Sequence, residues 1–118
     1  MTLTDAGPLI ALIDKGQAVA HKQCLEAQRD LRGPLLTTWP CFTEAMYFLG
    51  HLGGWRGQET LWGFLNNNAL LIHSPGPAEI GRMQALMEKY KDVPMDLADA
   101  SLVALAEASG VKKVFTLD

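Results

Sequence analysis

Short apolar segments alternate with helical segments along this chain, and the alternation limits its fold more than any other feature of the sequence. Strands are predicted in MTLT, PLLTT, ALLIHS and VKKVFTLD, and the stretches between them are long enough for one or two helices each. Parallel strands need crossover connections of this kind, and the connecting helices then cover both faces of the sheet. The predicted fold is α/β, a three-layer α/β/α sandwich with a central, mostly parallel sheet.

The helical segments carry their own start and stop signals. A turn is predicted at Gly7-Pro8 before a short first helix, and Pro40 suits the first turn of a helix through PCFTEAMYFLGHLG. Glycine stops are predicted at Gly33, after QAVAHKQCLEAQRDLRG, and at Gly110, after DLADASLVALAEASG. GQETLWGFLNNN is predicted to form a further short helix. The segment PAEIGRMQALMEKYKD is amphipathic, and its predicted buried face consists of Ile80, Met83, Leu86, Met87 and Tyr90.

Length and charge narrow the class of protein. A chain of 118 residues is large enough for one domain with a hydrophobic core, and no internal repeat or linker divides it. A net charge of -3 provides no global basic field for nucleic acid, although local basic side chains or a bound cation can contact phosphate. The sequence has no membrane-spanning apolar run and no signal-peptide pattern. Cys24 and Cys41 are expected to be free buried thiols, so we expect a cytoplasmic protein.

Five carboxylates are predicted to meet at one edge of the sheet. Ligand sites of open parallel sheets lie beyond the carboxyl ends of the strands. Asp5 ends the first predicted strand, and Glu44 lies early in the helix after the second strand. Asp96 and Asp99 begin the helix before the last strand, and Asp118 ends that strand. The topology therefore predicts an acidic site at this edge.

The segment DLADASLVALAE places Asp99 beside Leu102, Val103 and Ala106, and the apolar character of this helix predicts that Asp99 is buried. A buried carboxylate is costly unless it is neutralised, paired or bound to a metal, and clustered carboxylates repel one another. Mg²⁺ or Mn²⁺ would relieve both problems, because hard cations favour oxygen ligands. Such a cation can also activate water for attack on a phosphodiester.

Each of these carboxylates also has a purely structural explanation. Asp5 can be a turn residue that bonds its own backbone, and Asp96 can cap its helix. Asp99 and Glu44 lie near helix starts, where the helix dipole favours negative charge. These local explanations do not predict that the side chains meet at one edge.

Four segments, TDAGPLIALID, TEAMYFLG, PMDLADASLVALAE and VFTLD, occur in an order that resembles the PIN domain family, and most closely its VapC-like toxin ribonucleases. The resemblance covers essentially the whole chain. It implies a Mg²⁺- or Mn²⁺-dependent endoribonuclease that hydrolyses RNA phosphodiesters as the toxin of a type II toxin–antitoxin pair. It also implies a homodimer and an antitoxin protein that blocks the acidic groove with an arginine.

Matched motif by motif, the resemblance places metal ligands at Asp5, Glu44, Asp99 and Asp118. Thr116 matches a small hydroxyl residue of the family that lies two positions before the fourth acid. Asp96 matches an acid found in part of the family and would help to position a water. The family usually continues with an aspartate-phenylalanine pair and an edge strand, so a single PIN-like domain over residues 1–118 is expected without that edge segment. A catalytically impaired PIN-like domain that acts as a protein-binding module is therefore the alternative.

Aromatic and basic side chains offer further contacts for RNA. Trp39, Trp55 and Trp62 could stack bases, but packing in the core or in a dimer interface is the favoured interpretation. The glycines of LGHLGGWRG follow a helix, so they are expected to end that helix rather than to bind a dinucleotide. Four basic residues could reach phosphates but are surface charges by default: Arg56, Arg82, Lys112 and Lys113.

Two other sites were weighed. His21 and Cys24 lie one helical turn apart, and a structural pair is favoured over a pair of metal ligands. A phosphoacceptor receiver domain also clusters acids beyond strand ends. It needs an aspartate at the end of a middle strand, and ALLIHS provides none.

Overall fold

The computed structural model describes residues 1–117, and Asp118 lies outside the described residues. The elements in chain order are β1 (Thr2–Thr4), α1 (Ala6–Ile13), α2 (Ala18–Arg29), β2 (Leu35–Thr38), α3 (Trp39–Gly53), α4 (Trp55–Asn66), β3 (Leu70–His73), α5 (Pro77–Lys89), α6 (Leu97–Ser109) and β4 (Val114–Phe115). The four strands form one sheet in the order β3-β2-β1-β4, and every pair is parallel. The predicted α/β fold with a parallel central sheet is confirmed.

The two faces of the sheet belong to two separate apolar clusters. Successive side chains of a strand point to opposite faces, so Leu35 and Leu36 of β2 diverge. Leu35 packs into the larger cluster, which contains residues from α1, α2, α3 and α4. Leu36 packs with Leu3 of β1 and Leu105 of α6 in the second cluster. Helices therefore cover both faces, as the three-layer prediction requires.

Strand β1 lies at the topological switch point of the sheet, because β2 and β3 are added on one side of it and β4 on the other. The connection through α1 and α2 leads from β1 to β2 on one side, and the return through α5 and α6 places β4 on the other side. The backbone N–H of Leu3 donates to the carbonyl of Lys113 at 2.9 Å, and that of Asp5 donates to Phe115 at 3.2 Å. In open parallel sheets such a position opens a crevice at the carboxyl ends of the strands.

The first helix begins earlier than the sequence predicts. Asp5 is its N-cap, and the Oδ1 atom of Asp5 accepts a hydrogen bond from the backbone N–H of Ala6 at 2.7 Å. Gly7 and Pro8 therefore lie in the first helical turn, and the prediction of a separate turn there is wrong. Proline fits this place because the first N–H groups of a helix have no partner within the helix.

Two other boundaries also differ from the prediction, and three agree with it. Helix α2 ends at Arg29, so Gly33 is not its stop and lies in the following loop with a φ of 78°. Among residues 111–117, the described part of VKKVFTLD, only Val114 and Phe115 are in a strand. Pro40 does lie in the first turn of α3, Gly54 ends α3 with a φ of 70°, and Gly110 ends α6 in the left-handed conformation.

Several apolar side chains that were expected to be buried are exposed. Trp39, Trp55 and Trp62 have 46%, 62% and 40% of their surface exposed, so they do not pack in the core, and packing in a dimer interface stays a prediction. On α5 only Leu86 of the predicted apolar face is fully buried, while Ile80 is 54% exposed. Both cysteines are buried and free, as predicted. None of the helices in residues 1–117 combines the length and the apolar character needed to cross a membrane.

Candidate functional site

The Asp5 carboxylate lies at the carboxyl end of β1, beside the buried thiol of Cys41 from α3. The Cys41 Sγ atom is 3.9 Å from Asp5 Oδ1 and 3.7 Å from the carbonyl oxygen of Ala98 in α6. Burial and the negative charge of Asp5 raise the pKa of the Cys41 thiol to about 11. The thiol therefore keeps its proton at neutral pH and can donate it to either oxygen. It lies where β1, α3 and α6 meet.

A pair of buried hydroxyl groups joins the first turns of α3 and α6. Thr38 caps α3, since its Oγ1 accepts a hydrogen bond from the backbone N–H of Cys41 at 3.3 Å. The Oγ atoms of Thr38 and Ser101 are 2.7 Å apart, and Ser101 donates to the carbonyl of Ala98 at 2.7 Å. Because each hydroxyl has one proton, Thr38 is the donor to Ser101. The pair thus fixes the start of α6 against the start of α3.

Asp96 and Asp99 form a reciprocal capping box at the start of α6. The Asp96 Oδ1 atom accepts a hydrogen bond from the backbone N–H of Asp99 at 2.8 Å. In return, the Asp99 Oδ2 atom accepts one from the backbone N–H of Asp96 at 3.3 Å. The structural explanation of Asp96 as a helix cap is therefore confirmed, and it extends to Asp99.

The side chain of Asp99 is exposed, so the prediction that it is buried is wrong. Helix α6 has apolar residues around most of its circumference, but its fully buried side consists of other residues: Ala98, Ala100, Ser101, Ala104 and Leu105. Asp99 instead shares a stripe with Leu102, Val103 and Ala106, at helical spacings of three and four residues. Those three side chains are only partly buried or exposed.

The structure brings Asp5, Glu44, Asp96 and Asp99 into one electrostatic cluster. Partial burial raises the pKa of Glu44, and the charges of Asp96, Asp5 and Asp99 raise it further. The pKa of Asp99 is raised as well, first because its carboxylate has lost part of its hydration. The hydrogen bond from the backbone N–H of Asp96 lowers this pKa, and the charges of Asp96 and Asp5 raise it further. These are the effects that unneutralised like charges have on one another. The cluster lies at the carboxyl end of β1, where the topology predicts an acidic site.

The remaining predicted ligand and its neighbour lie at the end of the chain. Asp118 is outside the described residues, and Thr116 directly follows β4 with an exposed side chain.

The chemistry of these donors fits a hard cation. All four side chains offer carboxylate oxygens, which Mg²⁺ and Mn²⁺ prefer. Within residues 1–117, however, no three His, Cys, Asp or Glu side chains are close enough to hold a metal ion together. Mg²⁺ usually keeps several waters and contacts only one or two carboxylates directly, so a looser cluster still suits it.

An open groove runs beside the carboxylates. It is lined by Trp39, Pro40, Thr43, Glu44 and Tyr47 of α3 and by Asp96, Leu97 and Ala98 at the start of α6, and its volume is about 590 Å³. Two aromatic rings and two carboxylates therefore border the same space. This combination suits a ligand that has flat apolar parts and that also carries, or binds through, a positive charge.

Sequence reasoning missed three residues that hold the site together, Thr38, Cys41 and Ser101. Thr38 had a detectable signal, because a threonine two positions before a proline at a helix start is typical of an N-cap. Cys41 was interpreted only as a buried thiol. Ser101 had no signal of its own, since one serine in an apolar helix does not reveal its partner.

Other predicted candidates lie away from this cluster. The Nδ1 atom of His21 is 2.7 Å from the carbonyl of Ala11, and this contact holds α2 against α1, as the structural interpretation expects. Arg82 forms an ion pair with Glu107 at 2.8 Å on the exposed surface of α5 and α6.

Comparisons with known proteins assign the family. The sequence model of the PIN domain matches residues 2–118. The crystal structure of VapC20 from Mycobacterium tuberculosis, described as a toxin that cleaves the sarcin-ricin loop, superposes with a TM-score of 0.90 and 14% sequence identity. The match covers 100% of this chain and 90% of that one, and at this identity it shows a shared fold. No curated protein matches the sequence significantly. By the match of the PIN model to nearly its whole length, the chain belongs to the PIN domain family.

Proposed function

We propose that this PIN domain is a metal-dependent endoribonuclease that hydrolyses RNA phosphodiesters as the toxin of a type II toxin–antitoxin pair. The observation that carries the proposal is the cluster of Asp5, Glu44, Asp96 and Asp99 at the carboxyl end of β1, where partial burial, and after it the neighbouring negative charges, raise the pKa of Glu44 and of Asp99. Such a cluster is costly to keep unless it binds a cation. The fold shared with VapC20, described as a toxin that cleaves the sarcin-ricin loop, supports the assignment as a nuclease toxin.

Asp5, Glu44 and Asp99 are the proposed ligands of Mg²⁺ or Mn²⁺, with Asp118 as the fourth. When bound, the cation supplies Lewis acidity and lowers the pKa of water near the phosphodiester. The hydrogen bond from Ala6 N–H orients Asp5, and the bond from Asp96 N–H orients Asp99. We assign to Asp96 and Thr116 supporting roles in the placement of a water.

The raised pKa of Glu44 belongs to the carboxylate cluster before a cation binds. A bound cation would favour the ionised form of Glu44 and would offset the repulsion from Asp96, Asp5 and Asp99. The role proposed for Glu44 is therefore that of a ligand whose negative charge attracts the cation.

Cleavage of RNA tests the proposal. The wild-type protein should cleave RNA with Mg²⁺ or Mn²⁺ and not with EDTA, and Asp99→Asn should lower the rate by at least about 100-fold. Asp92→Asn is a matched control, because Asp92 is an exposed aspartate in the loop between α5 and α6, outside the cluster. Circular dichroism should show the same fold in all three proteins. Retained cleavage by Asp99→Asn would trace the activity to a contaminating nuclease.

A protein-binding module without catalysis is the second candidate. It is favoured by one observation, that the described residues do not form a three-ligand metal cluster. Titration calorimetry separates the two functions. A nuclease should bind Mg²⁺ or Mn²⁺ in a manner that depends on Asp5 and Glu44, whereas a binding module should give no such heat.

The resemblance to VapC-like toxins also supports a homodimer, a cytoplasmic location and an antitoxin that inserts an arginine among the carboxylates. Sedimentation of the purified protein would measure its mass in solution. A mass of one chain, 12.9 kDa, at micromolar concentration would contradict the homodimer.

A further inference from the structure

We propose that Trp39 and Tyr47 are stacking platforms for two nucleobases of an RNA strand, one before and one after Glu44 along α3. The inference deepens the proposed function and rests on it, because it requires that the phosphodiester lie beside Glu44. The bases on either side of the cleaved phosphodiester would then bind in this groove.

The spacing along α3 fits two separate bases. Trp39, Glu44 and Tyr47 line the same groove, and Glu44 lies between the two aromatic residues in the helix. With a rise of about 1.5 Å per residue, Trp39 and Tyr47 are roughly 12 Å apart along the helix axis. That exceeds one step of about 3.4 Å between stacked neighbours in a nucleic-acid strand. The two rings would therefore contact different bases, with the backbone between them near Glu44.

Trp39 is exposed and at the same time held in place. It is 46% exposed, its Nε1 donates to the Ser74 hydroxyl at 3.4 Å, and its ring meets the buried Phe42 edge to face at 5.8 Å. Folding leaves a large indole uncovered at the groove although Phe42, in the same turn, is buried. A ring that is already fixed loses little conformational entropy when a base stacks on it.

Tyr47 is similarly supported at the other end of the groove. It is 60% exposed, and its ring meets His51 at 4.4 Å and Phe48 at 5.6 Å between centroids. Both of these rings belong to the same helix, α3.

The charge of the site explains why bases are the favoured contacts. Four carboxylates repel the RNA backbone, so phosphates provide little attraction here except through a cation. Bases are neutral, and their stacking on aromatic rings does not depend on the sign of the local field. Aromatic platforms therefore supply binding that the acidic cluster cannot supply. An apolar side chain of a protein partner is the competing occupant, and measurement of RNA affinity separates the two.

RNA binding by cleavage-deficient protein tests the platforms. In the Asp99→Asn background, fluorescence anisotropy measures the affinity for a fluorescein-labelled pool of random single-stranded 12-mers. Trp39→Leu and Tyr47→Leu should each weaken binding by about 5- to 100-fold, and Trp39→Phe should retain most of the affinity. Trp55→Leu is the matched control, since Trp55 is 62% exposed but does not line the groove, and it should bind like the parent.

Tryptophan fluorescence provides a second readout that does not rely on loss of a side chain. With Trp55 and Trp62 changed to Phe, only Trp39 emits, and the RNA pool should quench it. A protein that keeps Trp55 alone should show no quenching. Thermal unfolding of each variant verifies the fold.

The outcomes separate this inference from the proposed function. Unchanged RNA affinity in Trp39→Leu and Tyr47→Leu, together with metal-dependent cleavage by the wild type, overturns the platforms and leaves the groove to a protein partner. RNA binding that depends on Trp39 and Tyr47 without any cleavage by the wild type overturns the nuclease and retains the platforms.

Discussion

At the scale of single residues, the start of α6 is held in place by two buried hydroxyl groups rather than by charges. Thr38 and Ser101 are 4% and 5% exposed, and their hydrogen bond joins two helices that are 63 residues apart in sequence. A buried hydroxyl without a partner costs more than a lost bond, since it also loses its contact with water. The starts of the two helices that carry Glu44, Asp96 and Asp99 are therefore fixed without an ion pair between them.

Removal of the Ser101 hydroxyl should be costly. We expect Ser101→Ala to lower the free energy of unfolding by about 1–3 kcal/mol, because it deprives Thr38 and the carbonyl of Ala98 of a buried partner. Urea unfolding measures the change. Ser109→Ala, at the exposed end of the same helix, also loses one hydrogen bond and should cost less than about 1 kcal/mol. Equal losses in the two variants would contradict a special role for the buried pair.

The raised pKa of Glu44 leads to a pH-dependent prediction. A folded-state pKa above the ordinary value of 4.5 means that the folded protein binds the proton more tightly than the unfolded chain. The ionised side chain therefore destabilises the fold at neutral pH, and this cost disappears as the pH falls below 4.5. We expect Glu44→Gln to raise the free energy of unfolding at pH 7 by up to about 1 kcal/mol, and to have little effect near pH 4.

Thermal unfolding at both pH values without divalent cations measures this difference. Glu59→Gln removes the same charge from an exposed position of α4 outside the cluster, and it controls for the change in net charge. A gain at pH 7 that persists undiminished at pH 4 would show that the ionised carboxylate of Glu44 is not the cause.

At the scale of elements, one motif at the start of α6 has both a structural and a chemical role. The capping box satisfies N–H groups that have no partner within the helix, and it also holds Asp99 beside Asp5 and Glu44. Asp96 was expected to contribute through capping and through help with water. Only the capping is visible in the hydrogen bonds.

Two substitutions separate these roles of Asp96. Asp96→Ala removes the cap and should lower the free energy of unfolding by about 0.5–2 kcal/mol, measured in urea. Asp96→Asn keeps an oxygen that accepts the same hydrogen bond, so its stability should stay near that of the wild type. If Asp96 also helps to position water, the rate of RNA cleavage should fall in both variants. A full cleavage rate in Asp96→Asn would leave capping as its role.

Helix ends were predictable where a local residue determines them. Pro40 and Gly110 act through their own backbone, so their effects could be inferred from the sequence. Gly33 has the positive φ that favours glycine, but α2 had already ended at Arg29. Helix α2 ends where the chain turns back toward β2, and no residue near Gly33 indicates the position of that turn.

At the scale of the whole molecule, the sheet concentrates negative charge at one place although the chain has a net charge of only -3. Carboxylates that are up to 94 positions apart in sequence influence the pKa of one another. A cation that binds there stabilises the folded state, because the unfolded chain does not bring these side chains together.

Addition of Mg²⁺ should therefore stabilise the protein. At 100 times its Kd, Mg²⁺ should raise the free energy of unfolding by about 2.7 kcal/mol, and EDTA should reverse the effect. The double variant Glu44→Gln with Asp99→Asn should lose most of this gain. A control that removes the same charge outside the cluster, Glu59→Gln with Asp92→Asn, should keep it. A rise in Tm of the same size in both double variants would show that Mg²⁺ acts elsewhere on the protein.

Local patterns of residues predict the types of the elements and several of their ends. Strand and helix segments have different apolar spacings, and residues such as Pro40 act within one turn of the chain, so both can be recognised without knowledge of the fold. The alternation of these segments also predicted a parallel sheet, and with it the edge at which Asp5, Glu44, Asp96 and Asp99 meet.

The environment of each side chain, by contrast, depends on how the elements pack together. Helix α6 is apolar on most sides, and whether Asp99 is buried depends on which stripe faces the sheet. The stripe through Ala98 and Ser101 does so, and Asp99 is therefore exposed. The partner of Ser101 and the exposure of Trp39 were likewise hidden, because both depend on contacts between segments that are distant in the chain. The spacing of apolar residues along the chain indicates whether a segment is a helix or a strand. The contacts of each side chain depend instead on the packing of distant segments against one another.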